Sequence, residues 1–404
     1  MSPNNYTNLP PSDAVQKLDE LLQQALSHQA SDIHFESSES EFRVRFRIDG
    51  LLRIAEDPPV SLRDEIISRL KVLARMDIAE KRLPQDGRIQ YPHLGRTIDL
   101  RVSSLPTLHG EKIAVRILNT ISDRPGLANL GYEPDDRTKL LQALGRPHGL
   151  ILMTGPTGSG KTLSLYSCLE LLNSAEVNLS TVEDPSEIHL PGANQVSINE
   201  RAGLTFATTL RALLRQDPDV IMVGEIRDLE TAEIAIQAAQ TGHMVLSTLH
   251  TNDAPGTLAR LRHMGIAAFN IAASVSLVVA QRLVRRLCPA CKLALPEAQM
   301  LAILSTLPET DRKIFASIPP TTAAIYKAVG CSACNNGYQG RIGIYQVMPV
   351  SEALQTLSIQ NCDTQTLAAH ATQEGMRTLR QAGLLKVMQG ITSLDEVMTL
   401  THHG

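Results

Sequence analysis

The first part of the chain alternates helical and strand-like hydrophobic patterns. Residues 13–28 carry apolar side chains at helical spacing, which predicts an amphipathic helix. Between residues 42 and 48, apolar positions alternate with three arginines, which predicts a strand with a basic outer face. The dipeptide Asp49-Gly50 follows and predicts a tight hairpin turn.

The rest of this region predicts a small α+β domain. Residues 61–76 have a helical pattern, and Ser61 and Asp64 are placed as a capping box. Short strands are predicted at Ile98–Val102 and Ile113–Leu118.

From about residue 132 the pattern changes to fully apolar strands that alternate with helical segments. The predicted strands are Leu150–Thr154, Leu179–Glu183, Val220–Gly224 and Met244–Leu249, and the helices between them include Phe206–Gln216 and Thr231–Gln240. This alternation predicts an α/β fold with a mostly parallel sheet that helices cover on both faces.

Composition shifts divide the chain into five parts. A loop-like run beginning at Ser122 marks a linker, and a turn-rich region that contains four cysteines begins at Cys288. The predicted parts are an N-terminal domain (1–120), a linker (121–131), an α/β core (132–287), a tetracysteine module (288–345) and a helical C-terminal region (346–404).

Composition and charge exclude several classes of protein. The 404 residues are 43% hydrophobic, which excludes a disordered chain, and the net charge of −4 argues against a dedicated nucleic-acid coat. Six cysteines are too few for a disulfide scaffold. The polar N-terminus and the apolar stretch Ile266–Ala280, shorter than the roughly 20 residues of a bilayer span, favour a cytosolic protein. We interpret Ile266–Ala280 as a buried helix.

A phosphate-binding loop is the strongest chemical motif. It follows a predicted strand, opens a predicted helix and fits G-x-x-x-x-G-K-[ST]. Its residues are Gly155, Pro156, Thr157, Gly158, Ser159, Gly160, Lys161 and Thr162. Backbone N–H groups of such a loop surround a β-phosphate, the lysine reaches the β- and γ-phosphates, and the hydroxyl of Thr162 ligates Mg²⁺. The motif therefore predicts ATP and Mg²⁺ as ligands.

Two acidic residues end predicted strands and are candidates for catalysis. Glu225 closes the apolar run that begins at Asp219, a position that lies beside Mg²⁺ in P-loop proteins. Glu183 closes another strand and could position or deprotonate the attacking water. A solvated acidic turn is the alternative for Glu183.

Histidines and arginines supply further candidates. His243 and His250 flank one strand seven residues apart, so a shared metal site is not expected, and His250 could sense the γ-phosphate. The arginines that could neutralise transition-state charge, in cis or across a subunit interface, are Arg88, Arg101, Arg211, Arg215 and Arg227. A structural histidine or a solvated surface arginine is the alternative in each case.

Four cysteines predict a structural zinc site. Cys288 and Cys291 form one C-x₂-C knuckle, and Cys331 and Cys334 form a second after 39 intervening residues. Paired knuckles supply the four thiolates of a closed tetrahedral Zn²⁺ site, whereas free thiols or a redox pair are the alternatives. Cys168 and Cys362 are interpreted as packing residues.

Together these motifs give the chain a marked resemblance to the secretion ATPases of type II secretion and type IV pilus assembly, the GspE/PilB family. The resemblance covers residues 30–404. Besides the P-loop and the four cysteines, the segments that carry it are Ala30–His34, Leu83–Arg88, Ser180–Pro185 (the family's aspartate box), Leu213–Asp228 (its Walker B motif) and Ala239–Asn252 (its histidine box). Gln346 stands where the family usually has glutamate.

The resemblance implies a PAS-like domain followed by a RecA-like motor, in a ring of six subunits. It implies that Arg88 and Arg101 close over ATP, that Glu183 is the general base and that Glu225 serves the Mg²⁺ shell. The implied partner is an inner-membrane platform protein, so the expected location is the cytoplasm, peripheral to that membrane through partners. No nucleic-acid ligand is expected.

Three other functions compete with this interpretation. A hexameric RecA-like DNA translocase would use the basic strand to hold phosphates, but the near-neutral net charge and the 3% aromatic content argue against it. A small-molecule kinase leaves the cysteine module unexplained. A pilus-retraction motor is the near neighbour within the resemblance, but those motors lack the four cysteines.

Overall fold

The structure is a computed structural model that describes residues 13–118, 126–316 and 324–401. The chain divides into two compact units, Met1–Arg124 and Pro125–Gly404. Part of the predicted linker, residues 121–125, lies outside the described residues. The predicted domain boundaries remain predictions.

The first unit is an antiparallel sheet with helices on one face. Its helices are α1 (Asp13–Ser27) and α2 (Arg63–Leu73), and its strands are β1 (Asp32–Ser37), β2 (Phe42–Ile48), β3 (Leu51–Glu56), β4 (Gln85–His93), β5 (Arg96–Thr107) and β6 (Gly110–Ile117). The strand order is β3-β2-β1-β6-β5-β4. Alternating apolar residues of the strands, such as Phe35 and Val44, form one buried cluster with Leu18 and Ile66 of the helices. The intervening polar residues therefore occupy the opposite face of the sheet.

Several local predictions for this unit can be compared with the structure. Strand β2 has the predicted bounds, and the Asp49-Gly50 hairpin is confirmed by the positive φ of both residues, 50° and 88°. The capping box is wrong, because Ser61 lies in the 3-10 turn Val60–Leu62 and makes no capping hydrogen bond to α2.

The second unit contains a mixed sheet, seven-stranded in the described part of the chain, with the order β15-β12-β7-β11-β10-β8-β9. Its strands are β7 (Gly149–Thr154), β8 (Leu179–Glu183), β9 (Asn194–Ser197), β10 (Val220–Val223), β11 (Met244–Leu249), β12 (Val275–Leu287) and β15 (Tyr338–Pro349). Strand β15 is antiparallel to β12, and the other neighbouring pairs are parallel. A small separate sheet pairs β13 (Leu293–Ala294) with β14 (Tyr326–Lys327).

Helices cover both faces of this sheet. They are α3 (Pro134–Leu144), α4 (Lys161–Leu172), α5 (Phe206–Leu213), α6 (Leu229–Gln240), α7 (Ala254–His263), α8 (Ala268–Ser274), α9 (Glu297–Thr306), α10 (Glu309–Ala316), α11 (Glu352–Ile359), α12 (Thr364–Gln373), α13 (Leu379–Met388) and α14 (Leu394–Leu400). Along β7, Leu150 and Leu152 face one hydrophobic cluster, whereas Ile151 and Met153 face the other. This two-sided burial confirms the predicted α/β fold and explains why the strands are apolar at every position.

One structural interpretation in this unit is wrong. The stretch Ile266–Ala280 is not one buried helix, because it divides into the short helix α8 and the first half of β12. Small and apolar residues fill most positions of this stretch, including Phe269 of α8, which is 63% exposed, so the sequence pattern did not distinguish helix from strand. Strand β15 begins within the predicted tetracysteine module, and helices α11–α14 follow it. None of the helices in the three described segments is long and apolar enough for a bilayer span.

Candidate functional site

Most of the predicted site residues gather at one edge of the large sheet. The pairing of Thr154 with Leu249, and of Val223 with both Ser247 and Val182, aligns the ends of β7, β11, β10 and β8. The P-loop, His250, Glu225 and Glu183 stand at or directly beyond these ends. The carboxyl edge of a parallel sheet is the usual ligand-binding edge of an α/β fold.

The P-loop turns sharply between β7 and α4. Gly155, Gly158 and Gly160 all have positive φ, at 147°, 79° and 89°. A Cβ atom at Gly155 would lie 2.6 Å from the carbonyl oxygen of Gln281 and 2.7 Å from Oγ of Ser159, so only glycine fits there. Helix α4 begins at Lys161, and its free N–H groups form an anion-binding terminus.

The Lys161 side chain is folded back onto the loop. Its Nζ donates to the carbonyl oxygens of Gly155 and Pro156, at 2.7 and 3.2 Å. Burial lowers the pKa of Lys161 to about 8, with Arg282 acting in the same direction and Glu225 opposing it. Thr162 is exposed. Thr157 and Thr162 are thus the exposed hydroxyl-bearing residues of the loop, and the ammonium group is held against carbonyls that a phosphate can replace.

Glu225 lies close to Arg227 and His250 and interacts electrostatically with Lys161. Arg227 donates to its carboxylate and also lies 3.6 Å from Asp184, measured from Nη1 to Oδ2. Nε2 of His250 lies 3.7 Å from Oε2 of Glu225. Burial, together with the charge of nearby Lys161, lowers the pKa of His250, which favours the neutral form of its ring.

Glu183 is buried, with an exposed fraction of 5%. The hydroxyl of Tyr166 on α4 lies 2.9 and 2.8 Å from its two carboxylate oxygens, and Oγ1 of Thr181 donates to Oε1 at 2.7 Å. Gln195 on β9 contributes a longer contact of 3.4 Å. The solvated acidic turn considered as an alternative is therefore wrong for this residue.

Sequence reasoning missed two residues of β12 that contact this region. Nε2 of Gln281 donates to the carbonyl oxygen of Ser159 at 2.8 Å and so holds the P-loop from behind. The guanidinium of Arg282 donates to the carbonyl oxygen of Asn252 at 3.0 Å. The signal was hidden because the approach of β12 to β7, with Ala280 opposite Thr154, appears only in the tertiary structure.

Other predicted residues have local structural partners. Arg211 pairs with Glu230 at 2.8 Å, and Arg215 donates to the carbonyl oxygen of Arg211. His243 lies before β11, at its opposite end from His250, where Nδ1 is 2.9 Å from the carbonyl oxygen of Ala238.

The unusual Gln346 is buried within the second unit. Its Oε1 accepts a hydrogen bond of 2.9 Å from the N–H of Ala254 and so caps the start of α7. A glutamine therefore supplies a neutral oxygen to this helix N-terminus.

Arg88 and Arg101 belong to the first unit. They pair directly across β4 and β5, and Arg101 pairs with Arg116 on β6. Asp32 continues the same row between Arg116 and Arg47, with Oδ1 and Oδ2 at 3.1 and 3.4 Å from the two Nε atoms. Four arginines and one aspartate therefore form a basic row across the charged face of the sheet.

The two C-x₂-C knuckles meet in space. The four sulfur atoms of Cys288, Cys291, Cys331 and Cys334 all lie within 4.8 Å of one another, and three of the pairs are 3.9, 3.6 and 3.6 Å apart. Although burial opposes it, hydrogen bonds from the backbone N–H groups of Cys331 and Gly337 lower the pKa of Cys334 to about 7. Cys168 is fully buried in a hydrophobic cluster, as predicted.

Comparison with known proteins adds independent information. Residues 12–399 match the sequence model of the family described as "Type II/IV secretion system protein". A type IV pilus assembly ATPase of Acinetobacter baylyi is 52% identical over 390 residues, which are 96% of this chain and 66% of that protein. A type II secretion system ATPase of Vibrio cholerae is 47% identical over 388 residues, which are 96% of this chain and 75% of that protein.

Solved structures match the fold over almost the whole chain. The pilus retraction motor PilT, solved with bound ADP, aligns with a TM-score of 0.63 over 94% of this chain and 96% of that one, at 24% identity. This similarity supports the fold alone. The chain spans about two thirds of the length of the first curated relatives it matches.

Proposed function

The chain belongs to the type II/IV secretion system protein family, and we propose that it is an ATP-hydrolysing motor for type IV pilus or type II secretion pseudopilus assembly. The observation that carries this proposal is the meeting of Lys161, Glu183 and Glu225 at one sheet edge beside an intact P-loop. The reaction is the hydrolysis of ATP to ADP and phosphate.

Each group has a distinct task in this reaction. Lys161 exchanges the carbonyls of Gly155 and Pro156 for the β- and γ-phosphates, and the N-terminus of α4 adds favourable potential. Glu183 accepts a proton from the attacking water. His250 contacts Glu225 and lies at the edge where the γ-phosphate binds.

The residues present fit a magnesium ion. Thr162 offers an exposed hydroxyl, and Glu225 offers a carboxylate that arginine and histidine now contact. Such oxygen ligands are those that Mg²⁺ prefers, and the ion would neutralise charge on the phosphates. Arg88 and Arg101 are proposed to add positive charge to the transition state from the first unit.

The cysteine cluster fits a structural zinc ion. Four thiolates bonded to Zn²⁺ at about 2.3 Å would lie about 3.8 Å apart. The three measured pairs, at 3.9, 3.6 and 3.6 Å, are close to that spacing. Four thiolates leave no open position for water, so the metal would stabilise the fold and take no part in catalysis.

Family membership supports the wider assignment. We place a RecA-like motor in the second unit and a PAS-like domain in the first, with six chains in a ring. The motor would act on an inner-membrane platform protein and would lie in the cytoplasm, peripheral to that membrane. The cysteine cluster distinguishes the chain from the retraction motors considered above.

Experiments on the purified 404-residue chain test the proposal. We expect Mg²⁺-dependent ATP hydrolysis that is lost in Lys161→Ala and retained in Lys327→Ala, which removes an exposed lysine of the same unit. The cytosolic domain of a platform protein should stimulate turnover, whereas duplex DNA should not. Normal hydrolysis by Lys161→Ala would contradict the ATPase assignment, and stimulation by DNA alone would favour the translocase.

A further inference from the structure

The hydrogen bonds around Glu183 can satisfy two protonation states of its carboxyl group. Tyr166 is fully buried on α4, and its hydroxyl lies within 2.9 Å of both Glu183 oxygens and also of the carbonyl oxygen of Ile188. One hydroxyl proton cannot serve the carboxylate and the carbonyl at the same time. The hydroxyl therefore has two alternative acceptors within reach.

The side-chain amide of Gln195 allows the hydrogen bonds to be satisfied whichever acceptor the Tyr166 hydroxyl uses. Nε2 of Gln195 lies 2.8 Å from the carbonyl oxygen of Ile188 and 2.9 Å from the Tyr166 hydroxyl oxygen. With Glu183 ionised, Tyr166 donates to the carboxylate and Gln195 donates to Ile188. With Glu183 protonated, the new O–H donates to the Tyr166 oxygen, and Tyr166 turns its own proton onto Ile188. Neither state leaves a buried donor unpaired, which would be costly.

We propose that Tyr166 is a positioning residue that fixes the orientation of the Glu183 carboxylate and, by turning its hydroxyl, lets Glu183 keep the proton it receives. This inference rests on the proposed function, in which Glu183 is the base. Tyr166 itself neither gains nor loses a proton in the cycle.

The step balances as follows. The water oxygen forms a bond to the γ-phosphorus while the bond from that phosphorus to the ADP oxygen breaks. A water proton passes to Glu183, and the Tyr166 hydroxyl turns from the carboxylate to the Ile188 carbonyl. The proton later leaves Glu183 for the phosphate product or solvent, and the hydroxyl turns back.

The surroundings of Glu183 bear on any pH effect. Gly224, which precedes Glu225, lies against it, since a Cβ atom there would be 3.4 Å from Cα of Glu183. The charged or titratable groups on the adjacent elements are Lys161, Tyr166, Cys168 and Glu170 of α4, Arg211 of α5, Glu225 and Arg227 beyond β10, and Asp184, Glu187 and His189 beyond β8. Tyr166 is the titratable group whose side chain the structure shows bonded to both carboxylate oxygens.

The test is Tyr166→Phe in the full chain, which keeps the ring and removes the hydroxyl. Loss of a donor to a carboxylate disfavours the ionised base, so kcat should fall about tenfold or more and the acidic limb of the kcat–pH profile should move up by about one pH unit. The Kd for ATP should stay within about twofold, because Tyr166 does not line the P-loop. Tyr132→Phe, the same change at a buried tyrosine stacked on Tyr345, should leave the profile unmoved.

A second variant keeps the inference testable if Tyr166→Phe does not fold. Gln195→Met removes the amide from Ile188, so the Tyr166 proton favours that carbonyl and the acidic limb should again move upward, by a smaller amount. Unmoved acidic limbs in the folded variants would overturn the role of Tyr166. Failure of the proposed function is distinct, because it would appear as hydrolysis that is absent in the wild type or unaffected by Lys161→Ala.

Discussion

Arg88 and Arg101 face each other across strands β4 and β5 of the first unit, so the two arginines proposed to act on nucleotide share one row of the sheet. The row continues through Arg116 to Asp32, whose carboxylate pairs with Arg116 and Arg47. The single acidic residue thus lies at the far side of the row from Arg88. Asp86 and Asp99 lie two residues before Arg88 and Arg101 on the same face of the sheet, so each of these arginines also has an acidic residue nearby on its own strand.

Removing either arginine should affect turnover more than nucleotide binding. We expect Arg88→Ala and Arg101→Ala each to lower kcat by about tenfold or more, because they would stabilise charge that develops in the transition state. Steady-state kinetics and ATP titration measure the two effects. Arg69→Ala, a change on helix α2 at the opposite face of the sheet, is the control and should retain normal kcat. Wild-type kcat in both test variants would limit the first unit to an adaptor role.

Substitutions of Glu183 and of Glu225 should have different effects on activity. Glu183→Gln should bind Mg·ATP normally but lose hydrolysis by about 100-fold or more, because only proton acceptance is removed. Glu225→Gln should in addition raise the Mg²⁺ concentration needed for half-maximal activity. Magnesium titrations of kcat and of ATP binding distinguish these results, with the exposed Glu170→Gln on α4 as the matched control. If Glu183→Gln turns over at the wild-type rate, the base lies elsewhere.

ATP binding should take up protons near pH 8. Burial lowers the pKa of Lys161 to about 8. Above that pH, the Lys161 side chain is therefore neutral in most molecules of the nucleotide-free protein. Phosphates favour the charged ammonium, so binding draws a proton from solution and affinity falls as the pH rises through 8. Calorimetric titrations at pH 8.5 in two buffers with different ionisation enthalpies should give different heats. Lys161→Arg stays charged and should remove the difference, whereas buffer-independent heats in the wild type would contradict the prediction.

The cysteine cluster should hold one zinc ion for each chain. Cys291→Ser removes one of four ligands, so it should lower both zinc content and melting temperature while ATP binding persists. Elemental analysis and thermal unfolding measure these effects. The control is Cys362→Ser, a half-buried cysteine outside the cluster, which should keep one equivalent. Less than about half an equivalent in the wild type, with all four thiols titratable, would rule out the site.

Local patterns determined how much of the structure the sequence could predict. The strands beside the P-loop were found because burial on both faces makes them continuously apolar, and β11 has the predicted bounds. Strand β4 was missed because its alternation is weak, with Ile89 as its single fully buried position. The helix–strand junction inside Ile266–Ala280 was missed for the opposite reason, since every position there except Asn270 is apolar or small.

Site residues that belong to one continuous sequence motif could be predicted. Site residues whose role depends on a contact with a residue far away in the sequence could not. The P-loop glycines and the cysteine pairs occur at spacings that are characteristic of their motifs, so the sequence alone identified them. Tyr166 lies in an apolar stretch of α4 and looks like a packing residue until Glu183 is placed beside it. Gln281 likewise acquires meaning only from its hydrogen bond to Ser159, 122 positions away in the chain.

Strand β12 connects the P-loop to the cysteine cluster. One of its residues, Gln281, donates a hydrogen bond to Ser159 of the P-loop, and its last residue, Leu287, directly precedes Cys288 of the cluster. The seven steps between Gln281 and Cys288 span about 23 Å of extended chain. Between Gln281 and Leu287, β12 pairs with β15 alone, because its pairing with β7 ends at Ala280, and the register shifts between Arg285 and Leu287. The nucleotide-binding loop and the cysteine cluster are therefore linked by one continuous strand whose pairing is irregular just before the first cysteine.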